Sequence, residues 1–120
     1  MRYETFEDFP VYKMSVQLAK EINSLSLNIK NISFNFLKDQ ARRASSSIVL
    51  NIAEGAGKWG KKDKANYYRT SRGSCYECLA AIDLFEAYGL INTDKSTEIK
   101  DDLKEIANSL NALMSSIEKR

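Results

Sequence analysis

"QARRASSSIVLNIAEGAGKWGKKDK", residues 40–64, holds most of a helix, its stop and the start of the next helix. Leu37, Ala41, Ala44, Ile48 and Ile52 recur at steps of three or four, so one face of a helix over about 34–56 is apolar. The alanines and Ser45, Ser46 and Ser47 keep that helix thin and let a neighbour approach. "GAGKWGKK" ends it, with Gly55 and Gly57 both candidates for a left-handed C-terminal residue. Two arginines, an asparagine and a glutamate lie within the same stretch, and the only tryptophan stands in the turn.

The same period continues on both sides. A helix over about 9–27 has Asp8 as candidate cap and Pro10 in its first turn, with Val11, Ser15, Leu18, Ile22 and Leu25 on one face. "NIKNIS" reads as the following turn, with Ser33 a second candidate cap. After the glycine-rich break, Asp63 is the candidate cap of a helix to about Tyr88. Its stripe is Tyr68, Cys75, Cys78, Ile82 and Phe85, with Leu79 at the edge. Gly73 inside this helix costs about 1 kcal/mol relative to alanine, which implies close contact with another backbone. Gly89 supplies the stop. A fourth helix follows a Thr93/Asp94 cap to the end of the chain, and Ile99, Leu103, Ile106, Leu110, Leu113 and Ile117 form a heptad seam. Its charged residues, Lys100 to Glu105 among them, read as a solvated face. Four helices joined by short breaks predict an all-α fold: an antiparallel up-down-up-down four-helix bundle, one domain over 1–120.

Composition narrows the chemistry. There is no histidine, the commonest general base and a favoured zinc ligand. Cys75 and Cys78 form a lone C-x-x-C in mid-helix, whereas a reactive thiol pair favours a helix N-terminus; they read as core residues. Ser47 has no base to activate it, so no enzyme, cofactor or metal site is expected. No apolar run reaches the length of a membrane span, and the N-terminus lacks a signal-peptide core, so the expected location is the cytoplasm.

Charge is unevenly distributed. Between Ala41 and Arg72 stand eight basic and two acidic residues, a net +6 within a chain whose total is only +2. On the second helix Arg43, Ser47, Asn51 and Glu54 align as a polar stripe, and Arg69, Gly73 and Glu77 align on the third. One reading makes them an interhelical network: Arg43 or Arg42 meets Glu77, and Glu54 meets Arg69 or Arg72. The other makes some of the bases phosphate ligands, with Arg42, Arg69, Arg72, Lys58, Lys61, Lys62 and Lys64 as candidates. Trp59 can stack on a base, although an indole folded onto its own bundle is the first expectation.

Three segments carry a resemblance: "FEDFPVYKMSVQLAKEI", "QARRASSSIVLNIAEGAGK" and "YYRTSRGSCYECLAAIDL". The matching positions are Phe6, Asp8, Phe9, Val11 and Tyr12, Gln40 to Ala44, Ser47 and Ile48, Asn51 to Gly55, and Arg72 to Ser74 with Glu77. Together they resemble the 23S rRNA intervening-sequence protein family, also known as four helix bundle proteins. Ala41 stands where that family usually has leucine, a loosened core contact. The resemblance implies an antiparallel four-helix bundle assembled into a ring, a homopentamer, without enzymatic activity. Members are encoded by inserts in bacterial 23S rRNA genes and by stand-alone genes, so the ribosomal label records gene location. A similar bundle is the accessory protein of diversity-generating retroelements, where it binds nucleic acid and a reverse transcriptase. The expected function is thus a non-enzymatic ring associated with RNA or DNA. The alternative is a structural or protein-adaptor oligomer that never touches nucleic acid.

Overall fold

A computed structural model of the chain describes residues 5–119. After a 3₁₀ turn at Phe6–Asp8 come four helices, α1 (Pro10–Asn28), α2 (Asn35–Ala56), α3 (Lys61–Ala87) and α4 (Thr93–Glu118), with a second 3₁₀ turn at Ile32–Phe34. Several caps differ from expectation. Phe9, not Asp8, precedes α1, and Pro10 opens it, where a missing N–H costs nothing. Asn31 rather than Ser33 caps the second 3₁₀ turn, accepting from the Ser33 N–H at 2.9 Å. Gly60 starts α3 without a side-chain cap. Asn92 starts α4, its Oδ1 accepting from Lys95 N–H at 2.8 Å. Gly89 does stop α3. Its φ is +74°, and the N–H groups of Gly89 and Leu90 bond the carbonyls of Glu86 and Phe85 at 2.9 and 2.8 Å, the pattern of a left-handed C-terminal cap.

The helices form a closed ring of neighbours, α1–α2–α3–α4–α1, in a body of 50 × 23 × 21 Å. Cross-helix hydrogen bonds give the direction. Along α2 and α3, Ser47 meets Ser74, Ile48 meets Ser71, and Gly55 and Ala56 meet Lys64. Between α3 and α4, Asp83 meets Lys100 and Arg72 meets Asn111. Rising numbers on one helix pair with falling numbers on the next, the register of antiparallel neighbours. The predicted stripes are the core: Leu18, Ile22, Ile48, Ile52, Tyr68, Cys75, Cys78, Ile82, Phe85, Ile99, Leu103, Ile106 and Leu110 are all at most 2% exposed. Leu25 and Leu113 pack at the edge of this core, partly buried. Beside them Ser26 is fully buried on α1, its hydroxyl satisfied by the Ile22 carbonyl at 2.8 Å, and Met114 is buried on α4, which also buries Ser96 and Ala107, so its inner arc is wider than a two-helix seam.

The α2–α3 contact is the closest. A Cβ on Gly55 would lie 2.7 Å from Tyr68 Cε1 and 3.1 Å from Tyr67 Cβ, so only glycine lets the two helices meet there. Gly55 is therefore a helical packing residue, not a left-handed cap. Gly57 is not left-handed either, with φ −80°. The helix end is satisfied instead by Lys64, whose Nζ donates to the carbonyls of Ala56 at 2.9 Å and Gly55 at 3.3 Å. Gly73, expected to touch another backbone, faces open space: a Cβ there would meet nothing within 4 Å.

Midway along the α2–α3 seam the polar network is built from hydroxyls and an amide rather than charges. Ser47 and Ser74 share a hydrogen bond of 2.8 Å, Ser71 donates to the Ile48 carbonyl at 2.8 Å, and Asn51 Nδ2 donates to the Ser47 carbonyl and hydroxyl at 2.8 and 3.0 Å. The expected ion pairs are not made. Arg43 and Glu77 are exposed, and no hydrogen bond or ion pair joins them. Glu54 is exposed and lies 3.9 Å from Lys58. Arg42 pairs with Asp39 at 2.6 Å, Arg69 donates to Asn66 at 2.8 Å, and Arg72 turns to Asn111 of α4 at 2.6 Å. Ionised groups keep their hydration and a near partner; a serine needs only one short bond to enter the seam. The charged face of α4 is partly bridged: Lys100 reaches Asp83 at 2.8 Å and Lys95 reaches Glu21 at 2.7 Å.

Two predictions follow from this packing. Gly55→Ala should destabilise the fold by about 1–3 kcal/mol through overpacking, while Gly73→Ala should stabilise it by up to about 1 kcal/mol; denaturant titration of both variants separates the tight glycine from the open one. Leu110→Ala should cost roughly 2–5 kcal/mol as a cavity-forming change, read from the same titration, and a loss below about 0.5 kcal/mol would place that face of α4 outside the core.

Candidate nucleic-acid interface

The turn between α2 and α3 spans only residues 57–60. It has to reverse the chain across two helices held in close contact, and glycine occupies both of its ends. The Lys58 N–H bonds the Gly55 carbonyl at 3.2 Å, and the Lys64 N–H bonds the Gly60 carbonyl at 3.0 Å, which opens α3. Nothing within the turn can cover a large side chain, and Trp59 is 100% exposed. The expectation that this indole folds onto its own bundle is overturned. The Tyr67 ring on α3 is faced instead by Lys58, whose Nζ lies 5.2 Å from the ring centroid.

The basic candidates separate into four groups. Lys58, Lys61 and Lys62 flank Trp59 in sequence, in the turn and the first turn of α3. Lys64 points back to the α2 carbonyls and is a structural residue. Arg69 lies further along α3, about 12 Å from Lys61 at 1.5 Å per residue, and is exposed beside Asn66. Arg42 and Arg72 are not part of this end: Arg42 lies about 21 Å up α2 from Ala56, and Arg72 is bound to α4. Of the network candidates, Ser47 and Asn51 join the α2–α3 seam, while Arg43, Glu54 and Glu77 stay outside it. Tyr67, which holds Lys58, is a contributor that sequence reasoning missed. The contact crosses the turn between positions nine apart, so no local spacing announces it.

The charges facing this end set its field. α2 presents the negative end of its dipole here, and the Lys64 ammonium sits on it. α3 begins here with its positive end, Asp63 being the one acid of its first turn. Glu7 and Asp8 lie in the 3₁₀ turn that packs on α2 and α1, which confines basic character to the α2–α3 turn itself. Across the bundle, between α1 and α4, the carboxylates Glu21, Glu98, Asp101, Asp102 and Glu105 gather, with Lys95 bridging Glu21 and Glu98. The Asp102 carboxyl is held above the usual carboxylate range by burial first, then by Glu21, Glu98, Glu105 and Asp101.

Further along the α2–α3 seam, Ser71 and Ser74 donate to backbone carbonyls, and Ser47 shares its hydroxyl with Ser74 and Asn51. Cys75 and Cys78 are fully buried, and burial pushes both thiols up to about 12, so they stay protonated at neutral pH. No helix among the described residues is long and apolar enough to cross a membrane.

No curated protein matches the chain. Among solved structures, it is similar to a protein of unknown function from the S23 ribosomal protein family of Bacteroides thetaiotaomicron VPI-5482. The TM-score is 0.81 at 23% identity, over 87% of this chain and 97% of that one, a likeness of fold. The family model for 23S rRNA-intervening sequence proteins matches residues 7–112, nearly the whole bundle and both flanks of the Trp59 turn, and the chain belongs to that family.

Proposed function

We propose that this chain is a non-enzymatic, self-associating bundle that binds nucleic acid, RNA or DNA, through the α2–α3 turn. The observation that carries this reading is the clustering of Lys58, Lys61 and Lys62 around an exposed Trp59, at one end of a bundle whose α1–α4 side is acidic. Lysine ammonium groups take phosphate as point charges, and an acidic opposite side repels the same polyanion, so contact is confined to one end. Self-association into a closed ring, with five copies, comes from the family resemblance. It repeats the basic turn around an axis and multiplies a modest local charge.

A second reading has its own observation. Val16 and Leu50 are 42% and 63% exposed, and with Ala19, Ser46 and Val49 they line a shallow apolar groove between α1 and α2. Such a surface suits a protein contact, either another copy or the partner of an adaptor.

The two readings part in a salt titration. Wild-type chain should bind RNA or DNA oligonucleotides with an affinity that falls as salt rises. Changing Lys58, Lys61 and Lys62 together to alanine should leave the fold intact, since surface substitutions usually change stability by about 0.5 kcal/mol or less each and the Lys58 contact with Tyr67 adds only about 0.5–1 kcal/mol. The same change should make the salt dependence shallower by about 2–3 units of slope. Lys64 is left in place because it holds the end of α2. No salt-dependent binding at low ionic strength would leave the adaptor reading standing. In sedimentation equilibrium the 13.6 kDa chain should behave as a closed oligomer near five times that mass; a monomer across micromolar concentrations would remove the ring.

A further inference from the structure

We infer that the nucleic acid taken at the α2–α3 turn is single-stranded, held by a base stacked on the indole of Trp59. The inference rests on the nucleic-acid reading above and adds to it the strandedness of the ligand and the contact that selects it.

The indole is the largest apolar surface in the sequence, and its own chain covers none of it. The glycine on its C-terminal side leaves it open: a Cβ at Gly60 would meet nothing within 4 Å. The Tyr67 ring, eight residues on, is faced by Lys58 rather than by the indole. The indole therefore stands at the tip of a narrow turn with its faces accessible. Beside it lies a shallow depression lined by Ala56, Gly57, Lys58 and Lys64.

A flat apolar face is complementary to another flat face. A duplex keeps its base faces inside the stack and presents phosphates, sugars and base edges; a side chain meets a face there only by forcing bases apart. A single strand offers its base faces freely, and stacking on an aromatic side chain is the usual way such strands are held. The flanking lysines supply the other half of the grip. Lys58 precedes Trp59 by one residue, and Lys61 and Lys62 follow it by two and three. A strand with one base on the indole thus has cations near its phosphates on both sides. The α2 carbonyls that would repel those phosphates are covered by Lys64. No side chain in the turn is arranged to read a base edge, so the grip is tolerant of sequence.

Trp59 is the only tryptophan, so its emission reports on this one contact. The experiment titrates the full chain at low salt with single-stranded RNA, single-stranded DNA and duplexes of matching sequence. Binding is read twice, by Trp59 fluorescence and by anisotropy of an end-labelled oligonucleotide. Both single strands should quench Trp59 and bind at least about ten times more tightly than their duplexes. Trp59→Ala should weaken single-strand binding by about 5- to 150-fold and leave duplex binding and the salt slope unchanged. Trp59→Phe should restore part of the loss. The thermal unfolding of both variants should match wild type, since the side chain packs against nothing. Equal affinity for duplex and single strand with Trp59 emission unmoved would overturn the single-strand inference while the nucleic-acid reading stands. Absence of binding to every oligonucleotide would overturn both.

Discussion

The approach of α2 to α3 at Gly55 is the constraint on which the rest depends. Tyr68 is 2% exposed and its ring would lie 2.7 Å from any Cβ at position 55, so the helices pack there through the bare backbone of glycine against that ring. Further along, hydroxyls rather than long side chains fill the seam, and each makes a short bond that spans little distance. Once the two helices are fixed at this separation, a four-residue turn has to close them. Such a turn has no room for a hydrophobic lid, and its glycines provide none. The exposure of Trp59 is therefore a consequence of packing one helical turn away.

The same constraint explains Lys64. With α2 ending hard against α3, the last carbonyls of α2 fall within reach of a side chain in the first turn of α3. A lysine there serves the role that a left-handed glycine serves at the end of α3, where Gly89 adopts φ +74°. Two helix ends in one small protein thus solve the same problem of unpaired carbonyls by different means. At α2 the solution also changes the electrostatics of the turn, because a cation covers the negative end of one dipole beside the positive start of the next.

These relations bear on what the sequence could disclose. Helix number, extents and inner faces follow from a period that every segment repeats, and burial of Ile48, Ile82 and Leu103 agrees with it. The burial of Ser26 beside Leu25 and of Met114 beside Leu113 depends on how many neighbours a helix has, which a single-helix pattern does not carry. From sequence Gly55 reads as a helix stop and Gly73 as a packed helical glycine; the position of Tyr68 reverses the two, making Gly55 tight while Gly73 stays open. The polar stripe on α2 was legible as a stripe, yet Arg43, Glu54 and Glu77 lie outside the seam that Ser47 and Asn51 enter. Side-chain length hides this: an arginine and a serine at neighbouring helical angles reach different depths. The candidate interface was legible in its residues, Lys58, Trp59, Lys61 and Lys62, but not in its geometry. Which lysine turns inward and whether the indole is covered both depend on where α2 stops relative to α3.

The local charge at the turn also limits what a single copy can do. Lys58 stands between Glu54 and the Tyr67 ring, Lys64 is committed to backbone, and Asp63 offsets one of the remaining cations. Phosphate contact in water is weak per lysine and weaker as salt rises. Stacking on one indole adds a second modest contribution. A turn of this kind becomes an effective grip when several copies meet one strand, because each later contact is made at high effective concentration. Self-association and strand binding are then one requirement rather than two. A strand long enough to reach a neighbouring copy gains affinity from it, and a short oligonucleotide confined to one turn does not. On the proposed reading, assembly would substitute for the dense basic surface that a single bundle does not possess.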